Sequence, residues 1–419
     1  MFLSLAVFGL TIIGIIWRPR RQSEALIVCV GALAMILVGG LPIGEAFNAL
    51  GKNLNVLGFF LGLMTVAAIA ESVGLFDAIT EKTVALSHGS GRRMLLIVFG
   101  VGIVITSLLS NDATALMLTP VVFLLVRRLN VDPLPYVFAC AFIANAASFL
   151  LPVANPVNLL AVDAFDLRLG DYLAHLLIPS LIVIGVTVGL FLYFFRKETA
   201  VSFKTDSLPT KVNNKHLIRP VVLTLGLIAL GYVIFSLNGW PLSIPVLVGA
   251  FVLLITGLSM RAIKWPDISS SVSWSILPFV AGLTVLVQGL ESTGVTQHLA
   301  EFFTNVVGHG QLPAALATSF GTAAGSNLMN NWPMMMVSVT TLSGIPDTVA
   351  ANPGLPYQAI IGAALGPNIA VLGSLSSMLW LVLLRRRGLN ITAGAFLKLG
   401  LLVTPAALLC GSLVLYFLS

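Results

Sequence analysis

Charge is scarce in this sequence. Only 9% of its 419 residues are Asp, Glu, Lys or Arg, whereas 58% are hydrophobic and the mean hydropathy is +1.01. So few charged side chains cannot cover the surface of a soluble body of this length, which excludes a soluble enzyme. A helix that spans a bilayer needs about 20 apolar residues. The composition therefore predicts an all-α polytopic membrane protein.

Cysteine and histidine are also scarce. Cys29, Cys140 and Cys410 lie in apolar runs, and the five histidines fall in predicted loops or helix ends. This pattern excludes a disulfide framework, a zinc-ligand spacing and a histidine proton relay through the membrane. The P-loop, HExxH and GxSxG motifs are absent from the sequence as well. We therefore expect no cofactor and no structural metal.

Ten apolar runs are long enough to cross a bilayer. They lie near residues 1–17, 24–41, 55–75, 134–162, 172–195, 219–237, 242–260, 275–291, 357–384 and 394–417. Two further apolar segments, about 94–126 and 312–342, are interrupted midway by polar residues. We interpret both as re-entrant helical hairpins that enter and leave on one side, although two full crossings each fit the hydropathy equally well.

The basic residues agree with this layout. All 22 Lys and Arg except Lys52, Arg168 and Lys398 fall on one face, which the positive-inside rule assigns to the cytoplasm. Both termini are then outside. The formal net charge of +6 consequently reflects topology, and we expect no nucleic-acid partner.

Motifs of the first half recur in the second half at shifts of 220 and 219 residues. Glu-Ser-Val-Gly at 71–74 returns as Glu-Ser-Thr-Gly at 291–294, and Asn111-Asp112 returns as Asn330-Asn331. Five crossings per half, an odd number, give the two copies opposite orientations. We therefore predict two inverted-topology repeats, 1–195 and 220–419, joined by a cytoplasmic linker at 196–219. Each holds a hairpin and a broken helix, at about 134–162 and 357–384, which is typical of secondary transporters.

Polar interruptions of the two hairpins and the two broken helices indicate a binding site. Irregular backbone at membrane depth is tolerated only where it faces protein or a watery cavity, and amide, hydroxyl and carbonyl groups there can bind a small polar solute or a cation. The alternative is that these small polar residues only allow close helix packing. The candidate substrate-binding residues are Asn111, Ser148, Asn155, Asn158, Asn327, Asn330, Asn331, Asn368, Gly373 and Ser374.

Asp112 is the one carboxylate predicted deep in the membrane. A charge at that depth costs at least ~2.5 to 3.5 kcal/mol on insertion scales, so it marks a candidate proton or cation site. The alternative role is a cap of the helix that returns from the hairpin tip. Asp112 is therefore the candidate for ion coupling.

These motifs resemble a known family. Residues 110–120, Ser-Asn-Asp-Ala-Thr-Ala-Leu-Met-Leu-Thr-Pro, resemble the Asn-Asp-Gly-Ala-Ala-Leu-Ile-Leu-Thr-Pro stretch of bacterial arsenite efflux carriers. These are the arsenical pump membrane proteins, the ArsB family of the ion-transporter superfamily. Residues 327–333 are similar to that family's Met-Asn-Asn-x-Pro motif, and residues 365–375 to its Leu-Gly-Pro and Gly-Ser-Leu motifs. The likeness covers nearly the whole chain.

The resemblance implies export of arsenious acid and antimonite across the bacterial inner membrane. The export would be driven by the proton-motive force alone or with a separate arsenical-stimulated ATPase. It also implies alternating access by an elevator-like movement.

A sodium/proton antiporter or a small-anion carrier of the same superfamily stays as the alternative, and so does sodium as the coupling ion. Two alternatives come from other classes of protein. An intramembrane enzyme is disfavoured because the sequence shows no nucleophile with a base, and a scaffold subunit is disfavoured because it does not explain the inverted repeat. The oligomeric state is open, with a homodimer among the alternatives.

The sequence departs from the family pattern at three positions. Familiar members carry an acidic residue where this chain has Asn145 and another where it has Ala364, and they can carry Lys in place of Asn368. Fewer titratable groups then remain in the membrane. The departures concentrate any proton role on Asp112.

Overall fold

The structure is a computed structural model. It describes residues 2–17, 23–52, 54–203, 215–238, 240–272, 274–291, 305 and 310–419. Within these ranges the regular elements are helices, and the one strand-like pairing is a single bridge between Ser90 and Ser202. The all-α expectation is confirmed. Residues 204–214 of the predicted linker and the repeat residues 292–294 lie outside the described ranges.

Five helices precede the first polar interruption. Their bounds are Phe2–Trp17, Glu24–Leu37, Ile43–Lys52, Leu54–Ser72 and Leu75–Ser87. The first, second and fourth occupy apolar runs that the sequence marks as crossings. Ile43–Lys52 and Leu75–Ser87 are connecting helices that hydropathy does not mark, because charged residues interrupt their apolar faces.

The first hairpin and the first broken helix come next. The first hairpin is Gly91–Leu108 followed by Asn111–Ala113, a π-helical turn at Thr114–Leu118 and Thr119–Arg128. The first broken helix is Leu134–Ala146, a 3-10 turn at Pro152–Ala154 and Pro156–Ala164. Leu169–Phe194 completes this half.

The other half begins at Lys215, inside the predicted linker. Its helices are Lys215–Leu237, Ser243–Ser259, Trp265–Ser271 and Ile276–Glu291. The second hairpin is Gln311–Met329 with Asn331–Ser343, and Pro346–Ala351 follows it. The second broken helix is Leu355–Leu365, two 3-10 turns at Gly366–Asn368 and Val371–Gly373, and Leu375–Arg386; the chain ends with Ala393–Leu418.

Several helices are built for a bilayer. Among the described residues, 4 helices are long and apolar enough to cross it: Gly91–Leu108, Leu169–Phe194, Ile218–Phe235 and Ala393–Leu418. Shorter apolar helices fill most of the other predicted crossings. Because Leu223 and Leu227 point outward and are more than half exposed, they can face lipid, where an apolar surface is favourable. The chain is therefore a multi-pass membrane protein.

Close packing at glycines holds helices of the two halves together. A Cβ atom at Gly62 would lie 3.0 Å from the backbone nitrogen of Leu247, so Leu54–Ser72 and Ser243–Ser259 approach at backbone distance. Likewise, a Cβ at Gly282 would meet Val28, which joins Ile276–Glu291 to Glu24–Leu37. Small residues at such crossings are typical of packed membrane helices. These pairs carry Phe60 and Phe279, two walls of the cavity described next.

Candidate functional site

The tip of the first hairpin is organised by local side-chain hydrogen bonds. Ser110 caps the returning helix, since its Oγ accepts from the Ala113 amide at 3.1 Å, and Asn111 Oδ1 accepts from the Asp112 amide at 3.0 Å. Because Ser110 supplies the cap, the Asp112 carboxylate is not needed for it. The Thr106 and Thr114 hydroxyls, 2.8 Å apart, tie the two arms together. Asp112 is thus left to face the interior of the bundle.

The first broken helix stops at Ala146 and restarts at Pro156. Asn155 is the N-cap of the second piece, because its Oδ1 accepts from the Val157 amide at 3.1 Å. Pro156 suits the first helical position, since it has no N–H to leave unpaired. The restart therefore presents Asn155, Pro156 and Val157 as one end of a helix.

The second hairpin repeats this design. Asn330 adopts a left-handed φ of 77°, and its Oδ1 accepts from the Trp332 amide at 3.2 Å. A positive φ is tolerated by Asn better than by most side chains. Asn331 begins the returning helix and is 3% exposed.

The second broken helix restarts after Ser374. The Ser374 hydroxyl accepts from the Ser377 amide at 3.1 Å and lies 3.2 Å from the Ser376 hydroxyl. Ser376 in turn faces the Asp112 carboxylate of the first hairpin. A side-chain interaction therefore joins the two halves of the chain at this point.

These four restarts meet around one cavity. It has a volume of about 380 Å³, part of it open to solvent. Its polar lining consists of residues from all four elements, and Asp112 is its carboxylate; no Lys, Arg, His or Cys is among its described lining residues. The lining residues are Phe60, Asn111, Asp112, Asn155, Pro156, Val157, Phe279, Val280, Asn331, Trp332, Ser374 and Ser376.

The electrostatics of the cavity follow from these helix ends. The first turn of a helix leaves N–H groups without intrahelical partners, and the helix dipole adds a partial positive charge there. Four such ends converge at Asn111, Pro156, Asn331 and Leu375. The cavity therefore favours electronegative atoms of a solute, and Asp112 supplies the acidic side chain beside them.

Five of the predicted site residues line this cavity: Asn111, Asp112, Asn155, Asn331 and Ser374. The other six lie in the surrounding framework. Asn158 donates to the Ser148 carbonyl at 2.8 Å, and the Ser148 hydroxyl is 3.5 Å from Asn155 Nδ2. These contacts fasten the first broken helix to its own break.

The remaining predicted residues hold the second broken helix. Asn327 Nδ2 donates to the Gly366 carbonyl at 2.8 Å, and its Oδ1 accepts from the Ala370 amide at 3.0 Å. Asn368 binds the first broken helix, and Gly373 packs against Pro367 with no room for a Cβ. Asn330 caps the helix beside the cavity. These residues position the lining residues rather than line the cavity themselves.

Sequence reasoning missed two apolar walls of the cavity, Phe60 and Phe279, and the hydroxyl group of Ser376. The Phe60 ring packs against Trp332 with ring centroids 5.2 Å apart and the ring planes tilted by 33°, and Phe279 is 3% exposed. Both phenylalanines sit in plain apolar runs, which carry no polar signal. The repeat shift could have found them: Phe279 follows Phe60 by the same 219 residues that separate Asn330 from Asn111, and Ser376 follows Val157 by that shift too.

No cysteine or histidine is among the described residues that line this cavity. Within the described residues, no three His, Cys, Asp or Glu side chains are grouped as a metal site requires. Cys140 is fully buried, and the Cys29 thiol lies 3.5 Å from the Pro278 carbonyl, in a position to donate to it. The arrangement offers hydrogen bonds and one carboxylate to a small polar solute.

Two solved transporter structures are similar to this fold. The Alcanivorax borkumensis YdaH transporter aligns with a TM-score of 0.60 and 16% identity, over 88% of this chain and 86% of that chain. Neisseria gonorrhoeae MtrF, whose structure is described for a class of antimetabolite efflux pumps, aligns with a TM-score of 0.52 and 13% identity, over 89% and 82%. At these identities the likeness shows the fold alone. The fold is that of a polytopic membrane transporter.

The sequence narrows the class to one family. Residues 3–418 match the ArsB family, described as arsenical pump membrane protein. An arsenical pump membrane protein of Yersinia enterocolitica is 27% identical over 410 residues, 96% of either chain, and one of Escherichia coli is 28% identical over the same share. The chain belongs to the arsenical pump membrane protein family.

Proposed function

We propose that this protein exports arsenite and antimonite from the cytoplasm across the bacterial inner membrane in exchange for protons. The cavity lined by Asn111, Asp112, Asn155, Asn331 and Ser374 is its solute site, and Asp112 is its proton-coupling group. The observation that carries the proposal is the convergence of four helix N-termini and one carboxylate on this cavity, in a chain of the arsenical pump family.

The chemistry of the solute suits this lining. Arsenious acid is mostly neutral at physiological pH and presents hydroxyl groups, which both donate and accept hydrogen bonds. Helix N–H groups donate to its oxygens, while the Asn and Ser side chains can donate or accept. A neutral solute needs no basic counter-ion, and none is among the described lining residues.

The order of helices supports the inverted repeat. Gly91–Leu108, Asn111–Arg128, Leu134–Ala146, Pro156–Ala164 and Leu169–Phe194 of the first half correspond to Gln311–Met329, Asn331–Ser343, Leu355–Leu365, Leu375–Arg386 and Ala393–Leu418. Because five crossings separate the copies in the proposed topology, their orientations are opposite and their hairpins enter from opposite faces. Such pairs are typical of carriers with a midplane site.

Alternating access then follows from movement of the hairpins and broken helices as one unit. Every polar lining residue belongs to these four elements, whereas Phe60 and Phe279 belong to the helix pairs beside them. A shift of the unit past Phe60 and Phe279 carries the polar site from one face to the other. Partners such as a separate ATPase act on this same cycle.

Transport by the protein alone tests the proposal. Arsenite accumulation is measured in everted vesicles or proteoliposomes energised by an imposed proton gradient, with and without a protonophore. We expect uptake that collapses with the protonophore. No arsenite uptake by folded protein, with a sodium-dependent change of internal pH, would replace the proposal by sodium/proton exchange. Uptake of succinate in place of arsenite would indicate a small-anion carrier.

A further inference from the structure

A second cavity lies away from the candidate site. Its volume is about 420 Å³ including its open side. It sits between the first hairpin, the break of the first broken helix and the helix Lys215–Leu237. It is lined by Ser107, Leu108, Leu151, Pro152, Val153, Leu169, Ala229, Tyr232, Val233 and Leu242.

Two hydroxyl groups in this otherwise apolar wall are buried without a partner. The Ser107 Oγ and Tyr232 Oη atoms have no hydrogen-bond partner among the described residues, and both side chains are 7% exposed. Buried hydroxyls are almost always hydrogen-bonded, and leaving one unpaired costs free energy. The tyrosine ring is held from behind by Phe59, with ring centroids 5.8 Å apart. Two fixed polar groups thus line one apolar chamber.

Part of the cavity lining is exposed on helices of membrane-spanning length. Leu108 and Val233 at the rim are 37% and 41% exposed, on two helices long and apolar enough to cross a bilayer. A molecule dissolved in the hydrocarbon can therefore enter sideways. No charged side chain is among the described lining residues, and an ionised group would have no counter-charge there. The occupant is uncharged.

The geometry points to a lateral binding site for an uncharged amphiphile with an apolar body and a single hydroxyl head. The body fills the space between Leu151, Val153 and Leu242, and the head exchanges hydrogen bonds with Ser107 and Tyr232. The two cavities share no described lining residue. The amphiphile site is proposed whether or not arsenite is the transported solute.

Photolabelling tests this site directly. Azioctanol, a photoreactive eight-carbon alcohol, is added to the full-length protein in lipid nanodiscs, and labelled residues are located by mass spectrometry with excess octanol as competitor. We expect saturable labelling within 107–108, 151–153 or 229–233. Tyr232→Phe removes one hydroxyl and should weaken competition by octanol about two- to tenfold, the usual worth of one neutral hydrogen bond. Tyr193→Phe, at a tyrosine 59% exposed on Leu169–Phe194, is the matched control and should change nothing.

Filling the cavity gives an independent readout. Ala229→Leu adds side-chain volume at a half-buried wall position and should abolish the saturable labelling while the thermal unfolding midpoint stays near that of the parent. Labelling that does not saturate and spreads over lipid-facing residues in every variant overturns the site. Saturable labelling that Ala229→Leu abolishes but Tyr232→Phe and Ser107→Ala leave unchanged overturns recognition of the hydroxyl head, since a plain hydrocarbon chain would behave in that way.

Discussion

Asn145 and Asn368 are hydrogen-bonded to each other across the two halves of the chain. Asn145 Nδ2 donates to Asn368 Oδ1 at 2.9 Å, and Asn368 Nδ2 donates to the Phe142 carbonyl at 3.0 Å. Both side chains are 2% exposed. These are two of the positions at which the resemblance to arsenite carriers leads us to expect an acidic residue and, in some members, a lysine. The two positions form one contact in this chain, and both of its side chains are neutral amides.

The hydrogen bond between Asn145 and Asn368 predicts how the protein responds when charged side chains are placed at these two positions. Asn145→Asp alone should destabilise the protein by ~3–5 kcal/mol if the charge persists, because a buried carboxylate without a cation has no compensation. Asn145→Asp with Asn368→Lys should recover much of that loss, since the charges then lie side by side. Thermal unfolding in a fixed detergent measures both variants. The cycle also needs Asn368→Lys alone. If the loss of stability in the double variant equals the sum of the losses in the two single variants, the two side chains do not interact.

The Asp112 carboxylate gives the second prediction. Asp112→Asn keeps the size and hydrogen-bonding capacity of the side chain but removes its titration, so proton-driven arsenite accumulation should fall to background while expression and thermal stability stay near normal. Flux is measured in energised vesicles across a range of pH. Asp347→Asn, at an exposed carboxylate in the first turn of Pro346–Ala351, is the matched control and should transport like the parent.

Full pH-dependent flux in the Asp112→Asn variant would refute its proton role. The solute site would survive that result, because Asn111, Asn155, Asn331 and Ser374 remain in the cavity. Loss of binding along with coupling would instead place Asp112 among the solute ligands.

Much of this site can be predicted from the sequence, because polar residues are easily recognised within an apolar run. Asn111, Asp112, Asn155, Asn331 and Ser374 stand out in that way, and all five meet at the cavity. The same signal cannot separate a lining side chain from one that fastens the backbone next to it. Both tasks need short polar groups at a helix break. The framework residues are Ser148, Asn158, Asn327, Asn330, Asn368 and Gly373.

Phe60 and Phe279 were not predicted as site residues, for the opposite reason. An aromatic wall of a cavity looks in sequence like any other apolar residue of a spanning helix. Likewise, the connecting helices Ile43–Lys52 and Leu75–Ser87 carry charges that hide them from a search for crossings. The repeat shift relates the two phenylalanines to each other, but the packing of the helices is needed to place them at the cavity.

Gly373 supplies a prediction about the framework. A Cβ there would lie 2.6 Å from the Pro367 Cα and 3.0 Å from Asn327 Oδ1, so Gly373→Ala must displace backbone. Overpacking of this kind costs about 1–3 kcal/mol. Gly170→Ala is the control, because nothing lies within 4 Å of its Cβ position. The midpoint of thermal unfolding should be lower in Gly373→Ala than in the parent and nearly unchanged in Gly170→Ala. Equal midpoints in the two variants would contradict the close packing at Gly373.

The cysteines give a prediction about the chemistry of the solute. A variant with Cys29→Ser, Cys140→Ala and Cys410→Ala should transport arsenite at close to the parent rate, because none of the three thiols lines the solute cavity. Initial rates and arsenite dependence are compared at equal amounts of folded protein. Complete loss of transport in that variant would mean that trivalent arsenic is passed through a thiol.

Asn55 and Asp163 provide a test of the proposed movement. Asn55 Nδ2 donates to both carboxylate oxygens of Asp163, at 3.2 and 3.0 Å, while its Oδ1 accepts from the Ser243 amide at 3.1 Å. This contact ties the end of the first broken helix to Leu54–Ser72 and Ser243–Ser259. If the hairpins and broken helices move past those two helices, the contact must open in each cycle. Asn55→Cys with Asp163→Cys in the cysteine-free chain, bridged by a short bis-methanethiosulfonate that forms a disulfide with each thiol and releases sulfinate, should therefore stop transport. A reductant that cleaves the two disulfides should restore it. Each single cysteine variant treated with the same reagent controls for modification alone. Undiminished transport by fully bridged protein would show that this part of the broken helix stays in place.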